Sequence, residues 1–220
     1  MIPWQPFAAP GKITPLYRFF NALFGLLMSR SLTLPSRYQI TPDPAAVGED
    51  YFWRALQQGL RQGVELVQIR SKGLTASAYQ NIAVESIEYC HRHGARVVVN
   101  GSPALAQAVG ADGVHLTAHA LMTQTARPLP SPLLVAASCH NEAELRHAAH
   151  LNADFAVLSP ILHTASHPEA IPLGWSRYAE MIRGVGLPVY ALGGMTLDDQ
   201  ERAVGCGGQG VAGIGMFVQS

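Results

Sequence analysis

Three stretches of this chain carry residue types that could bind and process an anion. The first is a pair of glycine-rich turns, Leu192-Gly193-Gly194-Met195-Thr196 and Ala212-Gly213-Ile214-Gly215-Met216. Glycine has no Cβ, so Gly193, Gly194, Gly213 and Gly215 let backbone amides come close to a phosphate. Tight turns alone are the plainer reading. The second stretch is Gln68-Ile69-Arg70-Ser71-Lys72. At the end of a strand alternate residues share a face, so Gln68 and Arg70 point the same way with Lys72 just beyond. A guanidinium and an ammonium together suit an anionic ligand. An internal ion pair is the alternative, although few acidic residues close the other runs.

The third stretch is Ser138-Cys139-His140. Adjacent side chains on a strand diverge, which argues against a Cys–His nucleophilic pair. His140 is then the candidate for proton transfer, with a supporting or capping histidine as the alternative. After Ser159-Pro160, the loop Leu162–Pro168 carries His163, Thr164, Ser166 and His167. These hydroxyls and imidazoles could close over a ligand or simply face water. His147 and His150 lie one turn apart without a third ligand and read as surface residues.

The elements that must hold these groups follow a repeated rhythm from residue 37. Short β-branched runs occur at Arg37–Thr41, Val64–Arg70, Arg96–Asn100, Gly113–Leu116, Leu133–Ser138, Phe155–Ser159, Pro188–Leu192 and Gly210–Ile214. Amphipathic segments lie between them, notably Glu49–Gln62, Ala76–His93, Asn141–Leu151 and Trp175–Arg183. Strands alternating with helices predict a parallel sheet. Eight such units predict an α/β fold of the TIM (β/α)8 barrel type, whose ligand site lies at the C-terminal ends of the strands. A doubly wound sheet would show fewer strands and an early G-x-G-x-x-G, and neither is seen.

Only residues 215–220 follow the last strand, so its helix is truncated. An extra N-terminal helix is expected over residues 15–29, started by Thr14-Pro15, with Leu16, Phe19, Phe20, Leu23, Phe24 and Leu27 at helical spacing. It is the natural cover for the strip the missing helix would leave. The domain division is therefore a tail and helix at 1–36 and a barrel at 37–220.

Composition removes several classes. Fifteen basic residues balance fifteen acidic ones, which argues against nucleic acid or a membrane surface as partner. Hydrophobic residues make up 48 % of the chain, too many for a disordered protein. No run reaches the roughly 18 apolar residues that span a bilayer. Cys90, Cys139 and Cys206 form no C-x-x-C pair, so neither a disulfide framework nor a zinc site is expected, and a reducing cytoplasm is the expected compartment.

With these residues in place, the chain resembles the thiamine phosphate synthase and thiazole tautomerase superfamily. The resemblance rests on Q-I-R-S-K (68–72), G-A-D-G-V-H-L (110–116), S-C-H (138–140), S-P-I-L-H-T-A-S-H-P (159–168), L-G-W (173–175) and A-L-G-G-M-T (191–196). It implies a phosphate ligand held by Gln68, Arg70, Lys72, Asn100, Thr164, Ser166, His167, Gly193, Gly194, Gly213 and Gly215. Synthases of this family hold magnesium with two aspartates, and at those positions this chain has Gly101 and Ala120. Their loop lysine is replaced by His167. Without hard oxygen ligands a pyrophosphate leaving group is poorly stabilised. The Asn100-Gly101 pair and His140 instead look like the tautomerase branch, which moves a proton on a carboxylated thiazole phosphate. No metal and no cofactor are expected, magnesium entering only for a true synthase. The S-C-H and T-A-S-H-P patterns also resemble barrels fused behind Nudix hydrolases. The expected partners are thus a small phosphate ligand and, among proteins, a second copy or a Nudix-type protein. The readings are a proton-transfer enzyme of thiamine biosynthesis, a working synthase, or a non-catalytic phosphate-binding domain.

Overall fold

The computed structural model describes residues 33–164 and 168–218. The expected helix over 15–29, and with it Ser166 and His167, lies outside the described residues. Contacts divide the chain into two units after Thr33.

Eight strands pair in chain order: β1 (Arg37–Ile40), β2 (Leu66–Ile69), β3 (Arg96–Asn100), β4 (Gly113–Leu116), β5 (Leu134–Cys139), β6 (Phe155–Leu158), β7 (Val189–Leu192) and β8 (Gly210–Gly213). All pairings are parallel, and β8 returns to β1 with Arg37 opposite Val211 and Tyr38 opposite Ala212, which closes an α/β TIM barrel. Each strand lies within two residues of its sequence-based bounds. The helices are α1 (Pro44–Val47), α2 (Glu49–Arg61), α3 (Ala76–Arg92), α4 (Pro103–Ala108), α5 (Ala118–Thr123), α6 (Glu142–His150), α7 (Gly174–Ile182) and α8 (Gln200–Gly205). After β8 the described residues form turns, with Phe217 buried and its carbonyl bonded by Gln62 Nε2 at 3.0 Å.

Parallel strands buried on both faces need continuous apolar runs, and Val97-Val98-Val99 in β3 is one. Val97 and Val99 belong to the shell between strands and helices, while Val98 belongs to the barrel interior. The interior is filled by Tyr38, Leu66, Val98, Leu134, Ala136, Phe155, Val157, Tyr190 and Ala212. Tyr38, Phe155 and Tyr190 pack ring to ring at centroid distances of 5.2–5.5 Å. The barrel interior is thus filled by side chains, and in folds of this kind the ligand site lies at the C-terminal ends of the strands.

Helix α2 shows why its segment was readable. Phe52, Ala55, Leu56, Gly59 and Leu60 form one buried face, the helical period of a helix packed on a sheet. Several helices begin directly where a strand ends, and their caps stand on the rim of the mouth. Asp43, Thr75, Ser102, Thr117 and Asn141 accept from the amides of Ala45, Ala78, Leu105, Ala120 and Glu144. Side-chain caps satisfy donors that the first turn leaves without partners.

Candidate functional site

The inward-facing positions at the tops of β2 to β5 are polar. They carry Gln68, Asn100, His115 and Ser138, with Arg70 and His140 one residue beyond the ends of β2 and β5. The positions across the barrel, Val157, Leu192 and Ile214, are apolar. A polar half-ring therefore faces an apolar one, with the glycine turns of β7 and β8 on the apolar side.

The deepest polar groups form a chain. Gln68 Nε2 donates to Tyr38 Oη at 2.8 Å, Tyr38 Oη lies 2.9 Å from His115 Nδ1, and His115 Nε2 lies 2.9 Å from Ser138 Oγ. The protons can be placed by elimination. Tyr38 is fully buried, its oxygen already accepts from Gln68, and His115 Nδ1 is the acceptor within reach of its O–H. His115 then carries its own proton on Nε2 and donates to Ser138, whose hydroxyl proton is left to donate elsewhere. Burial first, and the charge of Arg70 second, push the imidazole down to about 3, so it stays neutral. Burial likewise raises the Tyr38 hydroxyl far above its ordinary value, so it remains a donor.

Above this chain sits the second histidine. His140 Nδ1 lies 3.1 Å from Glu144 Oε2, and the same carboxylate oxygen accepts from the His140 backbone amide at 2.7 Å. Glu144 Oε1 is held by Asn141 Nδ2 at 3.0 Å. The carboxylate places the imidazole proton on Nδ1, and Nε2 has no partner among the described residues. Half of the His140 side chain is exposed. A base held by an oriented carboxylate, with its second nitrogen available, is the geometry of proton transfer. Cys139 takes no part: it is buried in the outer shell, and burial, with the charge of Glu144 second, pushes its thiol up to about 12.

Gln68 and the glycine turn Gly193-Gly194 stand differently from the simplest reading. Gln68 does face the barrel interior, but it is 2 % exposed and engaged with Tyr38, so it supports the floor of the mouth. The glycine turn after β7 has a structural duty first. Gly193 and Gly194 have φ of 97° and 70°, and a Cβ on Gly194 would lie 2.3 Å from the His163 carbonyl oxygen. This close approach lets the β6 loop continue the sheet, with Ile161 N donating to Leu192 O and Leu162 N to Gly193 O. The amides of Gly193, Gly194 and Gly215 donate to no acceptor among the described residues. Gly213 lies within β8 against the Met216 side chain. Arg70 and Asn100 are half-buried, Lys72 is exposed, and Thr164 is half-buried beyond β6. His147 is less exposed than expected and bonds the Gln124 carbonyl at 3.0 Å.

Tyr38, His115, Asp43 and Glu144 were not singled out from the sequence. The signal for His115 was available: in Gly-Val-His-Leu it takes the inward position of an otherwise apolar strand. Nothing in sequence spacing announced Tyr38, because tyrosine is an ordinary core residue.

The donor set does not suit a divalent cation. Among the described residues no three His, Cys, Asp or Glu side chains gather as a metal site. Gly101 and Ala120, at the exits of β3 and β4, offer no donor. The carboxylates nearby, Asp43 and Glu144, are engaged by protein donors, Asp43 by Ser71 and Lys72 of the β2 loop and Glu144 by the His140 amide. No helix of the described residues is long and apolar enough to cross a membrane.

The family model "Thiamine monophosphate synthase" matches residues 37–217. "Putative thiamine-phosphate synthase 2" of Aquifex aeolicus is 36 % identical over 188 residues, 86 % of this chain and 100 % of that protein. A thiamine-phosphate synthase of Prochlorococcus marinus strain MIT 9303 is 32 % identical over 82 % of this chain and 52 % of its own length. Among solved structures, a thiamine phosphate pyrophosphorylase of Pyrococcus furiosus superposes with a TM-score of 0.67 at 23 % identity, covering 84 % of this chain and 88 % of that one. That match speaks for the fold, and the sequence matches speak for kinship. A closed eight-stranded barrel, a polar mouth on β2 to β5 and a family match over nearly the whole barrel lead to one conclusion: the chain belongs to the thiamine monophosphate synthase family of thiamine biosynthesis.

Proposed function

We propose that the barrel mouth binds a thiazole phosphate and moves a proton on it, with His140 as acid and base. The observation that carries this reading is the His140–Glu144 pair at the exit of β5. His140 Nε2 takes a proton from one position of the ligand and returns it to another, so composition and charge are unchanged over the cycle. The imidazolium formed in between is stabilised by Glu144. Arg70 and Lys72 supply cationic charge for the phosphate, and the amides of Gly193, Gly194 and Gly215, which donate to no acceptor among the described residues, supply further donors. Ser138, with its proton aimed outward by His115, offers a neutral hydrogen bond to the ring or its carboxylate.

The names of the relatives favour a second reading, synthase activity on a pyrimidine pyrophosphate. The absence of carboxylates at Gly101 and Ala120 weighs against it, because pyrophosphate departure needs a cation held there by hard oxygen ligands. The test of the first reading is the His140→Asn variant. Ligand-induced thermal stabilisation should persist while isomerisation of the carboxylated thiazole phosphate falls by about 100-fold or more, the usual worth of a general base. Full isomerisation activity in this variant contradicts the assignment.

A further inference from the structure

We propose that Asp43 is the positioning residue of the cationic arm Arg70–Lys72. This rests on the reading above that the arm grips an anionic ligand. Asp43 caps α1, but its contact to Ala45 N is its longest, at 3.1 Å. Its shorter bonds cross to the neighbouring loop: Ser71 Oγ donates to Oδ1 at 2.7 Å, and Lys72 N donates to Oδ2 at 2.8 Å. Ser71 Oγ passes the constraint on, accepting from Leu74 N at 3.1 Å and Gly73 N at 3.3 Å. One residue back, Arg70 N donates to Thr41 Oγ1 at 3.0 Å. The exit of β1 thus holds the exit of β2 at three consecutive residues, 70 to 72. The two loops also touch: a Cβ on Gly73 would lie 2.6 Å from Ala45 Cβ.

The carboxylate fixes the arm without neutralising it. Its oxygens are occupied by the Ser71 hydroxyl and by the Lys72 and Ala45 amides. Neither Arg70 nor Lys72 makes an ion pair among the described residues. Burial would raise the Asp43 carboxyl, but its bonds to Ser71, Lys72 and Ala45 and the charge of Arg70 outweigh it and hold the group below its ordinary value. Both cations remain available to the mouth, the useful state for binding an anion.

The test uses Asp43→Ser, which keeps a capping oxygen for Ala45 N but cannot span to the β2 loop. Asp43→Asn is the second variant, since Oδ1 still accepts while the bond from Lys72 N is lost. Hydrogen exchange of the Lys72 and Leu74 amides and affinity for inorganic phosphate are measured on the full chain. In both variants the Lys72 amide should exchange about tenfold faster and the phosphate Kd should rise about tenfold, the effect of one charge-assisted hydrogen bond. In a Lys72→Met background the same substitutions should change Kd by less than about twofold, because residues acting through one another are non-additive. Unchanged exchange at Lys72, or an equal loss of affinity in both backgrounds, overturns the proposal. Faster exchange with unchanged Kd overturns it alone. A wild-type protein that binds no phosphate overturns the anion reading and this proposal together.

Discussion

At the scale of single residues, His115 and His140 stand in opposite environments. His115 is buried with both nitrogens engaged and stays neutral, whereas His140 is half exposed with Nε2 without a partner among the described residues. His115 makes stability depend on pH. Its folded value of about 3 lies below the ordinary 6.5, so below pH 6.5 the unfolded chain takes up a proton that the folded chain refuses. The contribution is intact above pH 6.5 and is lost as pH falls towards 3, by up to about 1.4 kcal/mol per pH unit. Urea unfolding of the wild type and His115→Asn across this window checks it: the variant should lack that part of the slope. Tyr38→Phe leaves His115 Nδ1 and Gln68 Nε2 without their shared partner. It should cost about 1–3 kcal/mol, read as a lower urea midpoint with unchanged m. Arg70 was legible in the sequence because strand alternation puts it on one face with Gln68, His140 because it stands at a strand end, and Asn100 only through the family resemblance. Asp43 and Glu144 were not, because a loop carboxylate declares its partner only when the neighbouring loop is in place.

At the scale of elements, what could be read depended on length. The thirteen residues of α2 and seventeen of α3 repeat their apolar face often enough to reveal the period. The six-residue helices α4, α5 and α8 do not. Fewer than two turns give no pattern, and Ser102-Pro103 and Thr117 were the only local signs of α4 and α5. The glycine turns were found, but their packing duty was invisible without the β6 loop. This separates two substitutions. Gly194→Ala places a Cβ against the His163 carbonyl at positive φ and should destabilise by about 1–3 kcal/mol, lowering Tm by about 2–4 °C per kcal/mol. A Cβ on Gly215 meets nothing within 4 Å, so Gly215→Ala should stay within about 0.5 kcal/mol of wild type. Differential scanning calorimetry of the pair checks the contrast. Gly194→Val is therefore a poor probe of phosphate binding, since it disturbs the β6–β7 junction as well.

At the scale of the whole molecule, the barrel separates stability from chemistry. The aromatic floor of Tyr38, Phe155 and Tyr190 and the outer shell hold the fold, while the rim carries the ionisable groups. Net charge is zero, and Asp43, beside Arg70 and Lys72, spends its carboxylate on the Ser71 hydroxyl and the Lys72 amide rather than on an ion pair. The fold class was legible because eight alternations of strand and helix fit few architectures. The ligand was not, because family and fold leave the chemistry to a few rim positions. The most direct test of the account is isomerisation of the carboxylated thiazole phosphate by the wild-type protein in excess EDTA, followed by NMR. The account predicts turnover that neither EDTA nor added magnesium changes. No isomerisation, together with magnesium-dependent formation of thiamine phosphate from the pyrimidine pyrophosphate, would contradict it.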